Sequence, residues 1–139
     1  MQSNFELGEA EALRAIDACA TELLKREKAG SIAVSDTHGE LIALLRMDGA
    51  LLPSAGIAAN KAFTSSRVRE PSGNLGRAAQ AEGWDVHYHG DARYVGWDGG
   101  VPVFYQEQCV GAVAVSGLSG VEDLEIAELG VKAILATLE

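Results

Sequence analysis

The sequence predicts an α/β fold in which a mostly antiparallel sheet is flanked by helices. A long amphipathic helix is predicted near each end of the chain, and two strand-turn-strand patterns lie between them. The strands follow one another as hairpins rather than through βαβ crossovers, which is typical of antiparallel pairing. The complete predicted order of elements is α-β-β-α-α-β-β-β-α.

The first half of this order begins with a helix over about residues 6–28, where apolar side chains recur at helical spacing. Alternating apolar residues then predict strands at Ile32–Val34 and Leu41–Leu45. The Asp36–Gly39 tetrapeptide between them has the composition of a tight turn. These observations together indicate a hairpin.

The middle of the chain is predicted to be helical and then extended. A helix rich in small residues begins near Pro53 and carries Lys61. A short Ala-rich helix follows at Leu75–Glu82, and the alternation over Trp84–Tyr88 indicates a strand.

The last third predicts a second hairpin and the final helix. Strands at Val101–Tyr105 and Cys109–Val115 are joined by a three-residue turn. The final helix begins with the capping-box pattern of Ser119 and Glu122. The acidic run Glu122–Glu125 is interpreted as favourable charge at a helix N-terminus.

The composition favours one domain over residues 1–139, since 47% of the residues are hydrophobic and nothing marks a second domain, although residues 66–74 have the composition of a flexible linker. No apolar run reaches the roughly 20 residues that span a bilayer, and the first residues do not resemble a signal peptide. Cys19 and Cys109 have no zinc-like spacing and are interpreted as reduced core residues. We therefore expect a cytoplasmic protein with no membrane contact.

The charge balance argues against nucleic acid as a partner. The formal net charge is −9, and binding to phosphates requires a basic surface. An anionic ligand would have to be held locally by one of the few cations.

Arg46, Asp48 and Lys61 surround the end of the first hairpin with mixed charges. The two cations are suited to a carboxylate or propionate, with Asp48 orienting one of them. An ion-pair network that stabilises the corner is an equally good interpretation. Lys61 stands among alanines, and burial there would also suit it to a catalytic role as an acid or base.

His87 and His89 would point to the same face if their segment is a strand, a spacing that can bind a metal or flank a haem. No third ligand completes a metal set, so surface histidines are the alternative and no metal site is predicted. Ser116, at the end of a strand, either caps backbone or faces a ligand.

Four sequence motifs, in the same order along the chain, resemble motifs of the GlcG/HbpS family, which also includes the C-terminal domain of PduO-type proteins. They are the segment Val34–Ala50 ending in Arg-Met-Asp-Gly-Ala, the Lys-Ala-Phe-Thr segment at 61–64, Gly99–Val103, and Gly111–Gly117 followed by acidic residues. The resemblance implies a profilin-like architecture, a homo-oligomer and, in some members, haem binding.

Three hypotheses about function follow. The first is a small-molecule-binding protein whose ligand is haem or another carboxylate-bearing compound, held by Arg46, Asp48, Lys61, Ser116, His87 and His89. The alternative is an enzyme for a small carbonyl or carboxylate metabolite, with Lys61 or a histidine as acid or base. A structural oligomer with incidental haem binding is a third interpretation.

Overall fold

The computed structural model of the chain describes residues 1–138 and confirms the predicted α/β fold class. The helices are α1 (Glu9–Lys25), α2 (Ser54–Val68), α3 (Ser72–Glu82) and α4 (Gly120–Leu138), and the strands are β1 (Ser31–Ser35), β2 (Leu41–Arg46), β3 (Gly100–Tyr105) and β4 (Gln108–Ser116). In the described part of the chain, none of the helices combines the length and apolar character needed to cross a bilayer.

The strands form one antiparallel sheet in the order β2-β1-β4-β3. Both predicted hairpins are present, and β1 pairs with β4 at the centre of the sheet. In the first hairpin turn, the carboxylate of Asp36 accepts the backbone N–H groups of His38 and Glu40 at 2.8 and 3.0 Å. The turn chemistry that the sequence indicated is therefore realised.

The two faces of the sheet are covered differently. Ile32 and Val34 of β1 point into the larger core, where α1 and α4 pack, while Ala33 points to the opposite face. On that face Ala33 meets Ala58 and Ala62 of α2. These small side chains allow the helix to lie close against the strands, and the hydroxyl of Ser35 reaches the backbone carbonyl of Ala62 at 3.1 Å.

Two local expectations about the elements need correction. The first helix spans Glu9–Lys25 rather than 6–28, because the N–H of Leu7 donates to the carbonyl of Val110 at 3.0 Å and the backbone of Gly8 is extended. The Trp84–Tyr88 strand was a wrong prediction, since Val86–His89 forms a 3-10 helix. Asp85 accepts the N–H of His87 at 2.8 Å, which turns the backbone away from an extended path.

A buried ion pair joins the two layers at one end of the sheet. Lys61 of α2 and Asp123 of α4 are each 2% exposed, and Nζ of Lys61 lies 2.9 Å from Oδ2 of Asp123. The same Nζ donates to the carbonyl of Val115 at 3.1 Å, and the N–H of Leu118 donates to the other Asp123 oxygen at 3.1 Å. Lys61 therefore reaches past the end of β4 to the helix on the opposite face.

Gly99 and Gly100 lie against this ion pair. A Cβ on Gly100 would stand 2.5 Å from the carbonyl oxygen of Lys61 and 2.9 Å from the hydroxyl of Ser72, and one on Gly99 would stand 2.8 Å from Nζ of Lys61. Gly99 also has a φ of +132°, a conformation that side chains disfavour. The close approach of α2 thus requires glycine at both of these positions.

Gly100→Ala is expected to lower the free energy of unfolding by about 1–3 kcal/mol, because the added methyl group must displace backbone or buried hydroxyls. Gly56→Ala is the matched control. Gly56 lies in α2 with nothing within 4 Å of the position that an added methyl group would take, so alanine should stabilise by roughly 0.4–1 kcal/mol. Urea unfolding of the two variants measures both changes, and equal effects would contradict the packing argument.

Lys61→Met should lower the free energy of unfolding by about 3–5 kcal/mol, since it leaves the Asp123 carboxylate buried without its partner. Adding Asp123→Leu should recover most of that loss, because the cost comes from the uncompensated charge. Lys28→Met is the control: Lys28 pairs with Glu122 at the surface and contributes only about 0–1 kcal/mol. Similar losses for Lys61→Met and Lys28→Met would show that the buried ion pair contributes no more to the free energy of unfolding than a surface pair does.

Candidate functional site

The end of the sheet that carries the ion pair opens into a cleft of about 480 Å³, called here the lysine cleft. Lys61, Asp123 and Ser116 lie at its base, and apolar side chains form its rim. The lining residues are Leu51, Ile57, Lys61, Gly96, Trp97, Asp98, Ser116, Gly117, Leu118, Gly120 and Asp123. Its size is within the range of ordinary small-molecule sites, roughly 300–1,000 Å³.

Sequence reasoning identified Lys61 and Ser116 but missed Asp123 as their neighbour. The acidic run was assigned to the helix dipole, and Glu122 and Glu125 do pair with surface cations, Lys28 and Arg26. Asp123 instead turns inward, and burial raises the pKa of its carboxyl while the hydrogen bond from Lys61 opposes that rise. No spacing in the sequence connects positions 61 and 123.

A second cleft, of about 630 Å³, lies beside the 3-10 helix. We call it the aromatic cleft, because Trp84, Tyr88 and Tyr94 line it together with His87. Gly96 lines both clefts, so the segment from Tyr94 to Asp98 divides them. Gly96 is held there by backbone contact with Gly76 of α3, where a methyl group on either residue would collide.

His87 is the imidazole with the geometry of a ligand. Its Nδ1 lies 2.8 Å from a carboxylate oxygen of Asp85, and the N–H groups of His87 lower the pKa of Asp85. An ionised carboxylate can only accept, so in the neutral imidazole Nδ1 carries the proton and Nε2 has a free lone pair. A carboxylate behind the donor nitrogen is the usual support of a metal-bound histidine.

His89 has a different environment. It packs between Trp84 and Tyr94, with ring centroids 5.4 and 5.0 Å away. The expectation that His87 and His89 share a face rested on a strand that is absent, and two residues separated by two-thirds of a 3-10 turn point in different directions. The structure therefore separates the two histidines by role and places both outside the lysine cleft.

Arg46 and Asp48 are exposed and line neither of these clefts. They belong to the turn that returns the chain from β2 to α2, in which Gly49 has a φ of +86°. Within residues 1–138 neither side chain forms an ion pair. The anion site expected from the sequence required these two residues to lie beside Lys61, and the structure does not place them there.

No cluster of three or more His, Cys, Asp or Glu side chains suited to a metal ion occurs in the described residues.

Comparison by sequence finds two kinds of relative. An uncharacterized 15.0 kDa protein from the dhaT-dhaS intergenic region of Citrobacter freundii is 33% identical over 98 residues, which is 69% of each chain. Corrinoid adenosyltransferase PduO from Citrobacter freundii is 30% identical over 105 residues, or 74% of this chain. The match spans only 31% of PduO, so it relates the chain to one part of that enzyme.

Comparison by structure gives the same fold over nearly the whole chain. Protein ORFY of Klebsiella pneumoniae superposes with a TM-score of 0.91 at 26% identity, covering 98% of this chain and 95% of ORFY. A double mutant of HbpS from Streptomyces reticuli superposes with a TM-score of 0.84 at 28% identity, covering 95% and 89%.

The family described as haem degrading protein HbpS-like matches residues 7–132, a stretch that contains every helix and strand but the end of α4. The resemblance indicated by the four sequence motifs is thereby confirmed. The chain belongs to the HbpS-like family.

Proposed function

We propose that this protein binds haem in the aromatic cleft, where Nε2 of His87 would hold the iron. The observation that carries the proposal is the Asp85–His87 pair, which presents an unoccupied imidazole nitrogen beside three aromatic rings. The family's description as haem-degrading supports the choice of group.

The side chains of the aromatic cleft fit haem in their chemistry. Trp84 and Tyr94 line the cleft with aromatic surface, and Tyr88 is 81% exposed, so that a planar macrocycle would cover surface that is otherwise in water. The cleft volume of about 630 Å³ lies within the range of cofactor sites. Bound haem would supply a redox-active iron, while His87 would hold it and Asp85 would set the tautomer of His87.

His89 is assigned a supporting part in this proposal. Its ring fills the space between Trp84 and Tyr94 and keeps their faces apart. Ligation by His87 and packing by His89 replace the sequence-based expectation of two equivalent histidines. They also give the two side chains distinguishable behaviour in an experiment.

Titration of ferric haem into the protein, followed by Soret absorbance, tests the proposal. We expect a saturable complex of one haem per chain, and we expect His87→Ala to lose the shifted Soret band because the iron loses its nitrogen ligand. Added imidazole should restore the band in that variant. His38→Ala is the matched control, since His38 is an exposed histidine in the β1–β2 turn and does not line the aromatic cleft.

Asp85→Asn keeps the shape of the pair but replaces the carboxylate that polarises His87. Loss of the carboxylate that supports a metal-bound histidine lowers metal affinity, so the affinity for haem should fall roughly 10-fold or more. His89→Ala should weaken binding without changing the ligand field, as read from the position of the Soret band. No saturable complex with the wild type would overturn haem binding, and an unchanged band in His87→Ala would overturn the assigned ligand.

A further inference from the structure

The lysine cleft has no part in the proposed haem site, and its base is built as a binding site in its own right. Nζ of Lys61 has three protons, of which the carbonyl of Val115 and the carboxylate of Asp123 accept two. Residues 1–138 provide no acceptor for the third. Lys61 also lines the cleft, so a ligand oxygen there is within the reach of this donor.

Ser116 supplies a second donor at the same place. It is 5% exposed, lines the lysine cleft, and its hydroxyl makes no hydrogen bond with any described residue. Other buried serines of this protein are paired, as in the contact of 2.7 Å between the hydroxyls of Ser35 and Ser66. The hydroxyl of Ser116 therefore has no partner in the described part of the protein and keeps contact with solvent in the open cleft, where a ligand atom can take the place of water.

The charges in the cleft are already compensated. Asp123 neutralises Lys61, and the second acid of the lining, Asp98, receives both guanidinium nitrogens of Arg77 at 3.0 and 3.1 Å. The whole chain carries a formal net charge of −9. The cleft therefore offers donors without net positive charge, which favours a neutral acceptor oxygen over a carboxylate.

The rim of the cleft is apolar and open to water. Trp97 is 64% and Leu51 66% exposed, and Ile57 and Leu118 are half-buried beside them. Large apolar side chains held in water around a polar base are typical of a small-molecule site, where the body of the ligand covers the rim and one polar atom reaches the base.

We infer that the lysine cleft binds a small uncharged carbonyl compound, an aldehyde, ketone or amide, whose oxygen accepts hydrogen bonds from Lys61 and Ser116 while its apolar body packs on Trp97 and Leu51. This site is separate from the proposed haem site and does not depend on it. It also replaces the anion site expected from the sequence, because Asp123 already neutralises the positive charge of Lys61 that a bound carboxylate would need.

Cyclohexanone and cyclohexanecarboxylate are a matched pair of probes, since they share the apolar ring and differ in the charge of the oxygen-bearing group. Titrations of ¹⁵N-labelled protein should show saturable shifts for cyclohexanone at the amides of Gly117 and Leu118 and at the Trp97 indole. Cyclohexanecarboxylate should bind roughly tenfold more weakly, as expected for a charge moved into a site without a counter-ion.

Ser116→Ala should weaken cyclohexanone binding roughly fivefold, which is the usual consequence of losing one hydrogen bond. His87→Ala is the control, because it removes the proposed haem ligand and should leave cyclohexanone binding unchanged. Since Lys61→Met is expected to destabilise the fold, the lysine is tested by Lys61→Met with Asp123→Leu, which should abolish the shifts.

Three results would overturn the inference: tighter binding of the carboxylate than of the ketone, equal binding by Ser116→Ala and wild type, or no saturable shift at the cleft. Each is independent of the haem titration. If the protein binds haem but not cyclohexanone, the proposed haem function stands and the carbonyl site is rejected. If it binds cyclohexanone but not haem, the carbonyl site stands and the haem function is rejected.

Discussion

The ion pair between Lys61 and Asp123 is the interaction on which the organisation of this protein depends. It links α2 on one face of the sheet to α4 on the other, around the end of β4, and both side chains are almost fully buried. Two desolvated charges are costly unless their hydrogen-bonding capacity is used, and here Val115 and Leu118 supply further partners. The pair therefore constrains where both helices and the strand end must lie.

The close approach of α2 to the sheet follows from the same constraint. Lys61 can reach Asp123 only if the helix backbone lies near the strands, and Ala62, together with the alanines around it, permits that distance. Gly99 and Gly100 are required because their backbones pass directly beside Lys61. Three of the family's sequence motifs, which lie in α2, at the start of β3 and at the end of β4, thus pack against one another.

Two clefts with different chemistry lie on either side of the segment from Tyr94 to Asp98. The aromatic cleft is open and carries an imidazole supported by Asp85, which suits a planar group that contains a metal. The lysine cleft has donors whose charge is cancelled, which suits a small neutral molecule. The contrast arises because Lys61 has a carboxylate partner, whereas Nε2 of His87 has no partner in the described residues.

The sequence by itself determined the fold class, both hairpins, all four α-helices and the family, because these depend on local periodicity, turn residues and contiguous motifs. Tertiary structure decided which charges meet. Asp123 pairs with Lys61 from 62 positions away, while Arg46 and Asp48, though nearer in sequence, stay in water. It also decided the roles of the histidines, because the side-chain hydrogen bond of Asp85 outweighed the strand-like alternation at Trp84–Tyr88. Long-range ion pairs and local side-chain competition for the backbone leave no periodic signal in a sequence, so only the folded chain reveals them.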